Sequence, residues 1–449
     1  MQVASARPLG RLRRVTPPAA SVVRNPDFVR LWTAQTISQF GTQVSLLALP
    51  LVAISLLQAS AFDVALLGTV EFLPFILFSL AAGAWVDRLR RRPILILGDV
   101  GRALALGSIP IAFGFGALTL TQLFIVAFVV GILTVFFDVA YQSYLPAVVE
   151  RDQLVDGNGK LEVSRTIAQT AGPTIGGGLI GLVTAPLAIL VDSLSYVFSA
   201  LFVLLIRTAE PTPDPRVDEH GRVRGGLRDE VAQGLRYVLG NPYLRGIAAC
   251  TGITNFFSSM VFATYLVYAV RELGMTAVQI GLVFGLGNVG SILGALIADR
   301  LRRRLGLGPT LVWAIFLGTP GLLLIALAPR AFPFPFLVAS GLLFGLSVVV
   351  YNINQLSFRQ AITPATMQGR MHATMRFIVW GTMPIGSILG GVIATASNDV
   401  GLAIRIGAIG SLFGVIPLVI TPVRTLRDMP APLDEVPPTG ADVPGAATS

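Results

Sequence analysis

About twelve stretches of this chain are long and apolar enough to cross a bilayer, and no other feature limits the fold so strongly. A hydrocarbon core of about 30 Å takes about 20 apolar residues per helix, and lipid offers no partner for an unpaired backbone amide. The runs are continuous rather than alternating over about ten residues, so they are helices and not barrel strands. Their approximate limits are 28–57, 63–86, 94–115, 120–146, 159–184 and 186–206, then 242–270, 277–298, 309–328, 333–358, 369–396 and 399–421. Only 13% of the 449 residues are charged, against about 25% in a soluble domain, which places the protein in the membrane.

The formal charge of +9 does not point to nucleic acid, because the cations sit in short connections between apolar runs. "DRLRRR" after the second run, Arg151 after the fourth, seven arginines from Arg207 to Arg245 and "DRLRRR" after the eighth all fall on one side. The connections near 58–62, 116–119 and 182–186 carry no Lys or Arg, so both termini are expected in the cytoplasm of a multi-pass plasma-membrane protein, bacterial in kind. One cysteine, Cys250, and two histidines, His220 and His372, leave no internal disulfide and no cysteine- or histidine-rich metal site. No metal and no cofactor are expected.

The charged phrase occurs twice, as "GAWVDRLRRRP" at 83–93 and "ALIADRLRRRLG" at 295–306, each closing the second run of a set of six. Asp87 and Asp299 are thereby equivalent, and Arg165 precedes Pro173 by the interval that separates Arg376 from Pro384. The expected architecture is all-α: about twelve transmembrane helices in two pseudo-symmetric six-helix halves, with a substrate path between them near the midplane. The halves are 28–206 and 242–421. A cytoplasmic tail at 1–27 precedes them, and a linker at 207–241 joins them, in which Leu227, Val231, Leu235 and Val238 mark an amphipathic interfacial helix. The proline-rich end, 422–449, reads as a disordered cytoplasmic tail.

With these motifs the chain resembles the major facilitator superfamily over about residues 25–425. Gly83, Asp87, Arg88, Arg91 and Arg92 match its loop signature, and Asp299, Arg300, Arg303 and Arg304 repeat it with Ala295 in place of the glycine. The resemblance implies a cytoplasmic latch, in which Asp87 accepts from amides at the start of a facing helix and pairs with an arginine. A topology signal alone would leave the same arginines. On the fifth run, Gly159 and "GPTIGG" at Gly172, Pro173, Gly176 and Gly177 match an antiporter signature, with Ala168 replacing a glycine. That likeness implies export by exchange, although small residues also serve ordinary helix packing. "FFDVAYQSYLPAVV" and "LEVSRTIAQTAGPTIGG" are similar to the branch of enterobactin exporters and macrolide efflux proteins.

Charges inside spans cost about 2.5 to 3.5 kcal/mol each, so each retained one invites a role. Glu71 has only apolar neighbours in sequence, and burial without a cation disfavours its charged form, which makes it the leading proton carrier, followed by Asp138. Asp138 and Arg165 lie at similar depth and are expected to pair, as are Asp99 and Arg102. Arg376, the repeat partner of Arg165, suits an anionic group, a gate or a structural pair; Asp192 and Arg405 lie nearer the outer side without an assigned role. Gln35, Gln39, Gln43, Tyr141, Gln142, Asn255, Phe256, Tyr351, Asn354 and Gln355 are candidates to line a cavity, or to glue helices together.

The function expected from these features is secondary active, proton-coupled efflux of a hydrophobic or amphipathic small molecule such as a drug, siderophore or secondary metabolite, by a monomer in the lipid bilayer. An importer or lipid flippase on the same scaffold is the nearest alternative, and a membrane enzyme or a transport-dead scaffold the remoter ones.

Overall fold

The computed structural model describes residues 21–86, 89–150, 153–208, 210 and 227–427. Its elements are helical throughout these residues. The first group comprises α1 (Pro26–Leu51), α2 (Ala61–Val86), α3 (Arg91–Gly114), α4 (Leu120–Val148), α5 (Leu154–Val183) and α6 (Ala185–Leu204). A short helix, α7 (Leu227–Gly240), leads to α8 (Pro242–Val267), α9 (Ala277–Leu305), α10 (Leu307–Ala326), α11 (Pro333–Ala361) and α12 (Ala365–Ser397). The last expected run forms one continuous helical span, Val400–Ile420, tightened part-way along. It comprises α13 (Val400–Ser411), a tight turn at Leu412–Gly414 and α14 (Val415–Ile420).

Helix starts follow local chemistry. Asn25 accepts from the amides of Asp27 and Phe28, Asn241 from those of Tyr243 and Leu244, and Thr276 forms a reciprocal cap with Gln279. Eleven helices meet the length and apolarity of a span; α5 is not among them, because Asp156, Lys160, Glu162 and Arg165 crowd its first half. It is nevertheless 30 residues long, about 45 Å, and packs in full contact with α1 and α9.

The repeat extends to the backbone. α1 ends in a wide helical turn, Val52–Leu56, and α8 in another, Tyr268–Glu272, 216 residues on. In each, the residue that closes the turn bonds five back, Leu57 to Val52 and Leu273 to Tyr268, and Gln58 or Gly274 then takes positive φ. A wide turn leaves carbonyls short of partners, which matters at the gate described below.

Within the first group α1 packs on α6 and α5, α3 on α6 and α4, and α2 on α4; within the second α8 packs on α12 and α13, and α11 on α9 and α10. The groups are joined mainly by α5 with α9 and α2 with α12, and to a smaller extent by α2 with α8. One apolar core runs through both groups at the end remote from the arginine-rich connections, including Leu47, Ile54, Ile180, Tyr265, Ile280 and Ile404. At the arginine-rich end the cores are separate, one around Phe28, Leu95 and Tyr144 and the other around Leu244, Leu311 and Phe358. The molecule is therefore split by a cleft open at its arginine-rich end.

The linker helix α7 rests on the second group. Gly234 lies against Arg370 and Thr374, Arg370 donates to Gln233 Oε1 at 2.9 Å, and the Tyr237 hydroxyl donates to the Ile362 carbonyl at 3.2 Å. Val238 is buried as its spacing predicts, but Leu235 is exposed; Gly234 and Tyr237 take the packing face instead. The side chains of Leu227 and Val231, and the tails 1–20 and 428–449, lie outside the described residues.

Candidate substrate cleft and coupling groups

The closed end of the cleft is built from small residues. Gly177 of α5 and Gly281 of α9 meet so closely that a Cβ on either would come within 3.0 Å of the other's Cα. The Thr174 hydroxyl donates to the Gly281 carbonyl at 3.2 Å, and Asn288 Nδ2 donates to Thr170 Oγ1 at 3.2 Å. On the other side Gly391 of α12 abuts Phe62 and Ala65 of α2, and the Phe62 amide donates to Thr395 Oγ1 at 3.0 Å. Arg271, in the wide turn of α8, donates to the carbonyls of Ile54 at 3.3 Å and Ala59 at 2.8 Å. It thus satisfies backbone oxygens at the end of α1 that the twin wide turn leaves free, and ties the two groups together.

Beneath this seal lies a cavity of about 380 Å³, between α1 and α5 on one side and α8, α9, α10 and α11 on the other. Phe262 and Phe344 meet edge-on at 5.0 Å and Tyr265 and Phe284 at 5.5 Å, giving an aromatic wall. Gln43, Gln169, Asn288, Ser291 and Ser340 supply scattered polar groups. Such a site buries an apolar body and meets a few hydrogen-bonding groups, the usual composition of a small-molecule pocket. Val163 and Ile167 of α5 and Phe377 of α12 are exposed, Phe377 by 71%.

Of the residues expected to line a cavity, Gln43 borders this one, Asn255 and Tyr351 border a second of about 60 Å³ between α8, α10 and α11, and Gln142 is exposed. Gln35, Asn354 and Gln355 are buried in helix packing; Asn354 donates to the Val350 carbonyl of its own helix, and the hydroxyl of Tyr351 bonds to that of Thr251, also beside the smaller cavity, at 2.8 Å. Gln39, Tyr141, Asn255 and Phe256 are half-buried, and Asn255 donates to the Val379 carbonyl at 3.3 Å. Gln169, Asn288 and the four aromatic residues escaped sequence reasoning. Their only sequence signal is a side chain larger or more polar than its neighbours on a glycine-rich helix face.

The antiporter signature distributes its glycines unevenly. Gly172 and Gly176 pack against Gln43 and Val44 of α1, Gly177 makes the contact with α9, and Gly159 has open space beside it. Pro173 borders the cavity. In the loop signature, Asp87 and Arg88 and the surroundings of Gly83 lie outside the described residues. The amides of Arg91 and Arg92 donate to Glu210 at 2.7 and 3.2 Å, and Arg92 Nη2 donates to the Leu204 carbonyl at 2.7 Å. Glu210 is thus the anionic cap of α3, a role that its place in a linker conceals. Asp299 pairs with Arg302 at 2.6 Å and Arg303 at 2.7 Å on its own helix, and Arg300 and Arg304 are exposed. These described contacts bind each copy within its own half, as an open cleft requires.

The intramembrane charges differ from expectation in one pair. Arg165 is exposed to the cleft and lies 3.8 Å from Glu162, not on Asp138, which is also exposed there and carries no ion pair among the described residues. Equal depth does not fix the separation of two helices, and both side chains are exposed instead. Arg102 and Asp99 do pair, at 2.6 Å, fully buried, with the guanidinium 4.1 Å from the Phe137 ring centre and 4.2 Å from that of Tyr196. Arg376 is exposed and covers the Trp380 ring at 4.5 Å, and Trp380 meets Phe72 of α2 at 5.7 Å. Glu71, beside Phe72 and ten residues into α2, is half-buried and makes no ion pair among the described residues. Arg405 pairs at 2.7 Å with Asp399, the cap of α13. Burial raises the Asp399 carboxyl, but the Leu402 amide and the Arg405 guanidinium outweigh it and hold the group below the usual carboxylate range.

The profile of the family described as transmembrane secretion effector matches residues 18–441. The multidrug efflux pump Tap of Mycolicibacterium fortuitum is 25% identical over 421 residues, covering 90% of this chain and 97% of that protein. Macrolide efflux protein A of Streptococcus pyogenes is 24% identical over 372 residues, 82% of this chain and 89% of that protein. Among solved structures, a bacterial homologue of the iron transporter ferroportin in its inward-facing state superposes with TM-score 0.67 at 16% identity, covering 89% of this chain and 99% of that one. The outward-facing form of the ferroportin homologue gives 0.54 over 88% and 98%, so the chain shares the fold of both. The chain belongs to the transmembrane secretion effector family, a branch of the major facilitator superfamily.

Proposed function

We propose that this transporter exports hydrophobic or amphipathic small molecules in exchange for protons, with its arginine-rich end in the cytoplasm and a single chain as the working unit. The observation that carries the reading is the cleft, open at one end only and ending in an aromatic pocket of about 380 Å³ between the two groups of helices. That volume is within the range of about 300 to 1,000 Å³ of small-molecule pockets, and its sparse polar groups suit ligands of varied shape. The names of Tap and macrolide efflux protein A support drugs, macrolides among them, as the substrate class and export as the direction.

Proton coupling rests on where the carboxyls lie. Those remote from helix ends, Glu71, Asp99, Asp138, Glu162 and Asp192, belong to the first group; the second has only Glu272, Asp299 and Asp399, all at or near helix ends. Asp99 is neutralised by Arg102, whereas Glu71 has no such partner. It sits on α2 next to Phe72, which meets Trp380 across the cleft, so a change of its charge bears on the α2–α12 contact. Asp138, open to the cleft, is placed to pass protons to and from water.

The test is proton movement in proteoliposomes on addition of ethidium, erythromycin or a catecholate siderophore, for wild type and Glu71→Gln together. Proton release with wild type, lost in the variant while counterflow of the compound continues, is the expected result. Counterflow by wild type without any proton signal would sink the exchange reading and favour a uniporter or lipid flippase.

A further inference from the structure

Asp192 lies on α6, seven residues from its start and so about 10 Å from the sealed end. The residue is 1% exposed and carries no ion pair among the described residues. Its Oδ1 accepts from the Ser195 hydroxyl at 3.1 Å, while its Oδ2 has no hydrogen-bond partner. The Ser45 hydroxyl of α1 faces the carboxyl closely enough to act on it but is itself without a bond of good geometry. Gly41 makes the close approach possible, because a Cβ there would collide with Asp192 and Ser195. A buried carboxylate with an unmet oxygen and no cation of its own is a costly arrangement unless something positive is bound to it.

The charged groups around it leave that role to a proton. On α3, Arg102 acts on Asp192 but is already paired with Asp99. On α6 itself Tyr196 is engaged with Thr42 at 2.8 Å. On α2, Glu71 is the other carboxyl within electrostatic reach, about 15 Å from the sealed end and so at nearly the same depth. On α4, Asp138 is linked to the cluster through Arg102. α1 has no ionisable group beyond Asp27 and Arg30 near its start.

We propose that Asp192 is a second proton-binding carboxyl of the transport cycle, linked through space to Glu71 and lodged where α6 meets Gly41 and Ser45 of α1. This rests on the exchange reading given above and adds a residue and a route to it. The route is α1. Its Gln43 lines the pocket, Ser45 faces Asp192, and Ile54 accepts from Arg271 at the seal. Binding or loss of a proton at Asp192 changes how α1 rests on α6, and the same helix carries that change to the pocket and to the gate.

The experiment compares wild type, Asp192→Asn, Ser45→Ala and Ser195→Ala in proteoliposomes, using whichever of ethidium or erythromycin shows counterflow. Substrate-driven proton release is read across pH beside counterflow. Asp192→Asn is expected to lose proton release while exchange of the compound persists. Both serine variants are expected to keep proton release, with the pH profile displaced by about half a unit or more in Ser195→Ala, the size of one hydrogen bond, and by less in Ser45→Ala. Wild-type proton release from Asp192→Asn overturns the proposal and leaves the exchange reading standing. If that variant does not fold, unshifted profiles in both serine variants overturn it equally. Counterflow by wild type without proton release removes the exchange reading itself, and this proposal with it.

Discussion

At the scale of single residues the cost of buried charge decides most of what is seen. Arg102 is held by Asp99 and lies close to the rings of Phe137 and Tyr196, so its charge is compensated on every side. Arg102→Met strands Asp99 in the core and should lower stability by about 3 to 5 kcal/mol, read as a fall in the unfolding midpoint in detergent. Asp99→Leu combined with Arg102→Met should recover most of that loss, because a pair replaced by apolar groups leaves no orphan charge. The pairing was legible in the sequence because residues three apart on a helix face the same way. The pair expected between Asp138 and Arg165 is not formed, since depth along two helices says nothing of the distance between them.

At the scale of elements, glycine and the wide helical turns govern the seal. Gly177 and Gly281 let α5 and α9 touch, and Arg271 clamps the end of α1. Gly281→Val puts methyl groups into that contact and should force the sealed end apart. Spin-label distances across α5 and α9 should lengthen at that end, with transport falling severalfold. Arg271→Gln removes the charge and shortens the reach to Ile54 and Ala59, and should shift the same distances in the same direction by less. Unchanged distances in both variants would mean that the apolar core alone holds the seal. The glycines of α5 stood out in the sequence as a motif, but their separate duties did not. Which side of a helix faces α1 and which faces α9 depends on how the helix is rotated, and a one-residue step turns it by about 100°.

At the scale of the whole molecule the cleft makes the clearest prediction. Cys250 is the single cysteine and is buried, so introduced thiols can be read without background. Val163→Cys and Phe377→Cys should react with a membrane-impermeant thiol reagent from the arginine-rich side, and react slowly from the other. Reaction from the opposite side would reverse the orientation; no reaction from either would contradict the open cleft. A membrane protein of about twelve helices, its internal duplication and the end at which its arginines gather are all readable from the chain before folding. Those properties follow from hydropathy, helix length and charge, each of which is local to the chain. Which end is sealed, which polar residues face the pocket rather than the packing, and the burial of Asp192 against Gly41 with one oxygen unmet are settled by tertiary packing. Those depend on the rotation and tilt of helices far apart in sequence, which packing between their small residues sets and no single segment encodes.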